Sequence, residues 1–359
     1  MSKILKCFFI ITLVIFASYA LAQTNNASKV APIPSLHSAA PKTSYHPWRF
    51  FSKWMPSKKT TAQQKHDKAK TLPIAYMQRI SKSVPSFDKL LVDGNFNVEL
   101  HSGYSKPSVV IKGNSLDLLA VKAVVQNNTL VLHAEDKIPK FAPINVIIKG
   151  RYIHSIQLKA NANIKGHALK MSYLDLEVAE KAQAHLGGYL MVHKVIIQDQ
   201  GTVRLDGVRS KDLEVCLKNN ANLRISGKAN LTKLDASDHS QFIMTWVDSW
   251  NLIAKVSNEA YVQLAGIVNK LDACVSGNAH WNGRYLRSRR TFMKTYGHAT
   301  ARVSAVKKQH TLALDQSNIY FYNLSTYRTD FMAFDGSVLD MRNWQTRAEF
   351  DYDHYNKPE

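Results

Sequence analysis

Between Pro143 and Pro358 this 359-residue chain has no proline. Proline donates no backbone hydrogen bond and is confined to the edges and bulges of sheets, so its absence leaves that stretch free to form an uninterrupted backbone ladder. Cysteine is scarce as well. Only Cys7, Cys216 and Cys274 occur, too few for a disulfide-stapled scaffold. HExxH, CxxC, GxSxG and Walker-type stretches are missing, and with them the usual signatures of zinc peptidases, dithiol redox proteins, α/β-hydrolases and P-loop nucleotide binding. No metal and no cofactor is expected, and no specific nucleic-acid motif is present. Acids are in short supply too, with 27 Asp plus Glu against 47 Lys plus Arg. Beyond Phe16 no apolar run is long enough to span a membrane.

What is present begins with a leader. Lys3 and Lys6 precede an apolar run from Cys7 to Phe16, and Ala20-Leu21-Ala22 supplies small residues for cleavage. Residues 1–22 are read as a secretory signal peptide, which places the chain in the periplasm, on the cell surface or outside the cell. Residues 23–85 hold seven of the eleven prolines and eleven basic residues against one acid, Asp67. They read as a Pro- and Lys-rich basic linker without a packed core. Within it Trp48, Phe50, Phe51 and Trp54 alternate with Arg49 and Lys53. That mixture suits a membrane interface, and it equally suits a cover docked on the folded domain. A basic exported protein attracts polyanions: acidic polysaccharide, lipopolysaccharide or an anionic membrane surface.

From Phe87 the texture changes to short β-rich runs bounded by Gly, Asn and Asp. Residues 86–150 read as a β-rich cap, 151–340 as repeats and 341–359 as a tail. The repeat is a small residue followed two places later by an apolar one. It starts at Ala162, Ala184, Gly201, Ala221, Ser240, Ala260, Ala279, Ala299, Ser317 and Ser337, in steps of 22, 17, 20, 19, 20, 19, 20, 18 and 20. A second column follows at Leu174, Val195, Leu213, Leu234, Leu252, Leu271, Phe292, Leu312 and Phe331, and a third is Gly-rich at Gly166, Gly188, Gly227, Gly266 and Gly283. Polar residues precede the small ones, among them Asn161, Gln200, Asn220, His239, Glu259, Asn278, His298 and Gln316. A period near twenty with two short strands per unit predicts an all-β parallel solenoid of about ten coils. An antiparallel sandwich also has closely spaced strands, but does not require columns that stay in step for ten units.

FDKLLVDGNFNVELHSGYSKPSVVIKGN, VVQNNTLVLHAED and INVIIKGRYIHSIQLKANANIKG, followed by the twenty-residue coils, resemble the putative auto-transporter adhesin, head GIN domain family. The resemblance covers roughly residues 87–340. It implies a right-handed parallel β-helix-like solenoid capped by N-terminal strands, in exported bacterial proteins of the cell envelope. It implies no activity, because the signature is a repeat and not a catalytic motif. Trp246 and Asn323 depart from it, standing where turn glycines are expected.

Stacked coils turn repeated residues into rows. Arg209, Lys211, Lys228, Lys270, Arg284, Tyr285, Arg287, Arg289, Arg290, Lys307 and Lys308 would then form a basic stripe for an extended anionic ligand, with Tyr285 placed to stack on a ring. A solvated turn face would look the same. Asp175, Glu214, Asp235 and Asp272 recur too, and Glu214 with Asp235 would be the pair for a polysaccharide hydrolase or lyase; lysines such as Lys218 and Lys255 would otherwise neutralise them. A spacer or assembly element pairing through its end strands is a third possibility. Cys216 and Cys274 each stand three residues after a leading Leu, in one column but three coils apart. At about 4.8 Å per coil that is about 14 Å, beyond disulfide reach, so two free thiols are expected.

Overall fold

A computed structural model describes residues 77–341, except 135–136 and 324–326. The expected signal peptide, the linker as far as residue 76, the Trp48–Trp54 cluster and the tail from residue 342 lie outside the described residues. The repeats form a parallel β-solenoid. Eight long strands, each bent around one coil, carry it: β9 (Asn163–Val178), β10 (Gln183–Ile197), β11 (Thr202–Leu217), β12 (Asn222–Ala236), β13 (Gln241–Val256), β14 (Tyr261–Val275), β15 (His280–Thr295) and β16 (Thr300–Leu314). Each pairs in parallel with the next. β17 (Asn318–Phe321) and β18 (Arg328–Phe334) complete a ninth turn on β16. The tenth small residue, Ser337, opens only the short β19 (Ser337–Asp340) on β17, so the rod has about nine turns.

Alternation drives each coil to this shape. In β12, Leu223, Ile225, Leu231 and Leu234 are buried while Arg224, Lys228 and Lys233 face out. Burying such a side chain is worth roughly 1.5–3 kcal/mol, and only neighbouring coils can supply the apolar surround. Leu223 therefore sits in register with Val203 on one side and Phe242 on the other. The same inward column runs on through Val262 and Trp281 to Ala301. Trp281 fits because the next inward position of its own coil, where Leu264 stands one coil earlier, is Gly283. A Cβ on Gly283 would lie 2.4 Å from the indole Nε1. Gly283 thus makes room for a ring and is not a turn glycine.

The period is tighter than the sequence spacing suggests. Gln183 pairs with Asn163 and Ala184 with Ile164, so the second small residue is Ala182, not Ala184. The steps of 22 and 17 become 20 and 19. The second column divides into two. Leu174 pairs with Val192, Leu213 with Leu231 and Leu271 with Thr291, whereas Val195 pairs with Val215 and Leu234 with Ala254. Phe292 lies on the outside, opposite Asp272. The cause is a corner of variable length, marked by register shifts between Ser210 and Leu213 and between Ala229 and Lys233.

What keeps the coils in step is a turn whose first residue is left-handed. Ala160, Glu180, Asp199, Asn219, Asp238, Asn258, Gly277, Gly297, Asp315 and Asp335 all have φ between 56° and 72°. Asn, Asp and Gly tolerate this region best. Their side chains also bond from coil to coil. Asn219 Nδ2 donates to Asp199 Oδ1 at 2.8 Å, Asn258 Nδ2 donates to Asp238 Oδ1 at 2.7 Å, and the Asn219 backbone N–H donates to Asp238 Oδ2 at 3.2 Å. A second column of backbone strain holds Gly188, Gly207, Gly227 and Gly266, where an added Cβ would lie 2.1–2.3 Å from a carbonyl oxygen of the preceding coil.

The cap extends the same stack out of chain order. On one side β3 (Phe96–His101) lies between β7 (Ile144–Lys149) and the start of β9; on another, β2 (Lys89–Asp93) lies between β6 (Thr129–His133) and β8 (Ser155–Lys159), and β8 meets the end of β9. Antiparallel strands then end the ladder. β4 (Ser108–Asn114) pairs with β7, β1 (Met77–Ser83) with β4, and β5 (Lys122–Gln126) with β6. A short helix, α1 (Ser115–Leu118), tucks Leu118 into the core. β1 falls inside the stretch expected to be linker. Its sequence MQRISKS has no apolar alternation and its side chains are mostly exposed, so backbone pairing with β4 holds it, aided by Ile80 packed against the core.

Two outcomes follow for stability. Gly266→Ala places a methyl 2.1 Å from the Val247 carbonyl oxygen at φ +133°, and thermal unfolding followed by circular dichroism should show Tm lowered by at least about 2–4 °C. The Asn258 amide, then the Asn219 N–H and the Ser237 hydroxyl, hold the Asp238 carboxyl below its ordinary value. A depressed carboxylate contributes stability above its unfolded pKa of about 3.9 and loses it as pH falls through the folded value. The Tm difference between the native protein and Asp238→Ala should therefore be full at pH 6 and shrink below about pH 4.

Candidate binding face

The corner where each coil turns toward its last straight segment carries Lys270, Arg289, Arg290, Lys307 and Lys308 of the predicted cations. Lys270 pairs in register with Arg290, Arg290 with Lys308, and Lys308 with Arg328. Lys270, Arg290 and Lys308 are exposed, one strand spacing of about 4.8 Å apart along the axis. Arg328 donates to Asp330 at 3.0 Å. Arg289 is exposed beside Arg290, and Lys307, half-buried, lies 5.5 Å from the Tyr327 ring. Lys270, Arg290, Lys308 and Arg328 share one register column, with Arg289 and Lys307 beside it.

Arg209, Lys211 and Lys228 lie earlier along the rod and line a trough of about 710 Å³. Gly207 and Gly227 lie at its floor, with Tyr189 at one end and Trp246 at the other. Those rings belong to β10 and β13, three coils or about 14 Å apart. Trp246 is 63% exposed and Tyr189 48%. The Arg209 guanidinium lies 5.7 Å from the Tyr189 ring, and Lys228 Nζ meets Asp248 Oδ2 at 2.6 Å. The floor is bare for the reason given above: a side chain at Gly207 or Gly227 would strike the coil before it.

Arg284 and Arg287 stand apart from the exposed cations. Arg284 is 8% exposed and lies over the Tyr322 ring at 4.3 Å, with Tyr285 at 5.4 Å. Arg287 is half-buried, and that burial pulls its guanidinium below its ordinary pKa. RYLRSRR is therefore not one surface. Its first arginine fills the coil and its last two face solvent. Tyr189 was missed because it sits one residue after a column glycine; an aromatic at that corner, like Trp246 two coils past Gly207, is the signal that marks the trough.

The acids do not pair with one another. Lys194 lies in register between Asp175 and Glu214, and Glu214 is followed by Lys233. Asp235 belongs to another outward column, between Cys216 and Lys255. Glu214 and Asp235 therefore occupy different columns, and each acid column is interrupted by a lysine. Histidines pair with acids at the surface, including His239 with Glu259 at 2.9 Å and His193 with Asp175 at 3.1 Å. Among the described residues no group of three His, Cys, Asp or Glu could hold a metal ion.

Cys216 and Cys274 are free and share the column Cys216–Asp235–Lys255–Cys274, three coils apart. Burial, then the charge of Asp235, pushes the Cys216 thiol up. Alkylation of the folded protein at pH 8 should label Cys216 more slowly than N-acetylcysteine, and non-reducing mass spectrometry should find no bond between the two cysteines. Finding that bond would refute the column.

Comparison with known proteins adds the following. A family described as "Putative auto-transporter adhesin, head GIN domain" matches residues 86–240 and 213–324, more than half of the chain. No curated protein matches. Among solved structures, a putative adhesin from Parabacteroides merdae is 13% identical, with 74% of this chain and 97% of that chain covered and a TM-score of 0.43. A putative adhesin from Parabacteroides distasonis is 13% identical, covering 74% and 96%, with a TM-score of 0.39. A putative lipid binding protein from the same species is 11% identical, covering 74% and 97%, with a TM-score of 0.36. At these scores the likenesses carry no argument about ligand.

Proposed function

This chain belongs to the putative auto-transporter adhesin, head GIN domain family, and from that premise we propose that it is an exported, non-catalytic binding module for an extended anionic ligand. The observation that carries the proposal is the row Lys270–Arg290–Lys308: three exposed cations in register on successive coils. Exposed single ion pairs are worth little. A row differs because the backbone register already sets several like charges side by side. A linear polyanion meets them together, although each side chain still gives up freedom on binding. Attraction of this kind weakens as salt rises. Export rests on the leader pattern of residues 1–22.

The interruption of the acid columns by Lys194 and Lys233 speaks against a glycosidic pair, since each carboxylate faces a cation and not its partner. A solenoid fold by itself says nothing about reaction.

The test is binding of the full-length protein to immobilised heparin and to long-chain polyphosphate over a salt series. Lys270→Ala/Arg290→Ala/Lys308→Ala should weaken both at least tenfold at low salt and flatten the salt dependence. Binding that ignores salt, or that survives the triple substitution, would end this reading.

A further inference from the structure

Resting on that reading, we infer that the ligand is a polysaccharide, and that the trough between Tyr189 and Trp246 takes its sugar rings while the cation row holds its acidic groups. The trough and the row succeed one another along the rod, the trough over β10 to β13 and the row from β14 onward. The row's column crosses β13 at Asn251, five residues after Trp246, so a chain bound to both would run obliquely to the axis.

Three features of the trough fit a sugar better than a bare polyanion. Its ends are aromatic rings, and a large, exposed indole has no role in holding phosphate; it offers a flat apolar face for the C–H face of a pyranose. Its floor is bare backbone at Gly207 and Gly227, enforced by contacts of 2.1 and 2.2 Å that any Cβ would make. A ring can therefore lie close to the sheet. Its polar groups are of both kinds. Arg209 and Lys211 donate, while the Thr245 hydroxyl both donates and accepts. Sugar hydroxyls need both donors and acceptors, whereas an ionised phosphate oxygen only accepts.

Other occupants fit less well. Single-stranded nucleic acid uses platforms on which successive bases stack; here the two rings lie about 14 Å apart along the axis, with glycines between. A membrane surface would need the aromatics to protrude from a convex face, and Trp246 instead walls a concavity.

The experiment compares the full-length protein, Trp246→Ala and Trp246→Phe for binding to heparin, long-chain polyphosphate and single-stranded DNA, with the triple row variant alongside. Trp246 is largely exposed, so its truncation opens no core cavity, and thermal unfolding verifies the fold. Trp246→Ala should weaken heparin about tenfold, Trp246→Phe should recover most of that loss, and polyphosphate binding should not change. Equal loss for heparin and polyphosphate, or no loss for either, would overturn the sugar assignment while leaving the polyanion reading intact. Single-stranded DNA bound more tightly than heparin and lost in Trp246→Ala would replace the sugar with nucleic acid. Failure of the triple row variant to weaken either polyanion would remove the function proposed above, and this inference with it.

Discussion

The left-handed residue that opens each turn is the constraint on which the rest depends. It recurs from Ala160 to Asp335 and bends the chain at the same point of each coil. That repeated bend brings the backbone of one coil into hydrogen-bonding register with the next. If a coil slipped by one residue, its inward and outward sets would exchange. The hydrogen bonds from Asn219 and Asn258 to the Asp of the preceding coil add a side-chain reading of the same register. Core, face and row all inherit their order from this one corner.

The surface is a consequence of that order. A lysine or arginine placed anywhere on a loop would be one more mobile charge, but at a fixed offset from the corner it joins a column. The sign of the column then depends on which residues recur. Asp175, Lys194, Glu214 and Lys233 alternate and so neutralise one another along the rod. Lys270, Arg290 and Lys308 repeat the same sign. Identical backbone geometry thus gives a neutral strip on one segment and a positive one at its corner.

Much of this was legible in the sequence because period and burial are linked. Leu223 and Ile225 alternate with polar residues, and only stacked copies could cover them, so the solenoid and the separation of Cys216 from Cys274 both followed. The corner before the last segment was not legible in the same way. Its length varies by a residue from coil to coil, so Val195 and Leu234 were placed in the column of Leu213 when they lie one inward position further on. Side-chain direction within an irregular coil was equally hidden. Nothing in RYLRSRR marks Arg284 as the arginine that turns inward beneath Tyr322. Gly283 explains part of it afterwards, since the room it leaves is filled by Trp281. Apart from Ala160 and Glu180, the left-handed column was in plain view as Asp, Asn and Gly, mostly one place before the polar corner residues.

The interior changes character along the rod. Leu174, Leu213 and Leu271 give way to Thr291 and Gln309 in the same inward column, and Ser288, Thr295, Thr311 and Ser317 are buried nearby. Both polar atoms of the Gln309 amide lack a protein partner, and a buried polar group without one costs free energy that a leucine would not. Repeat proteins melt coil by coil, according to local and neighbour terms. The coils β15 and β16, beneath the ninth turn of β17 and β18, should therefore open before the apolar coils nearer the cap. The exposed cations Arg290 and Lys308 ride on those coils, so a polymer bridging them to Lys270 would splint the weakest part of the molecule, and occupancy would register as rigidity.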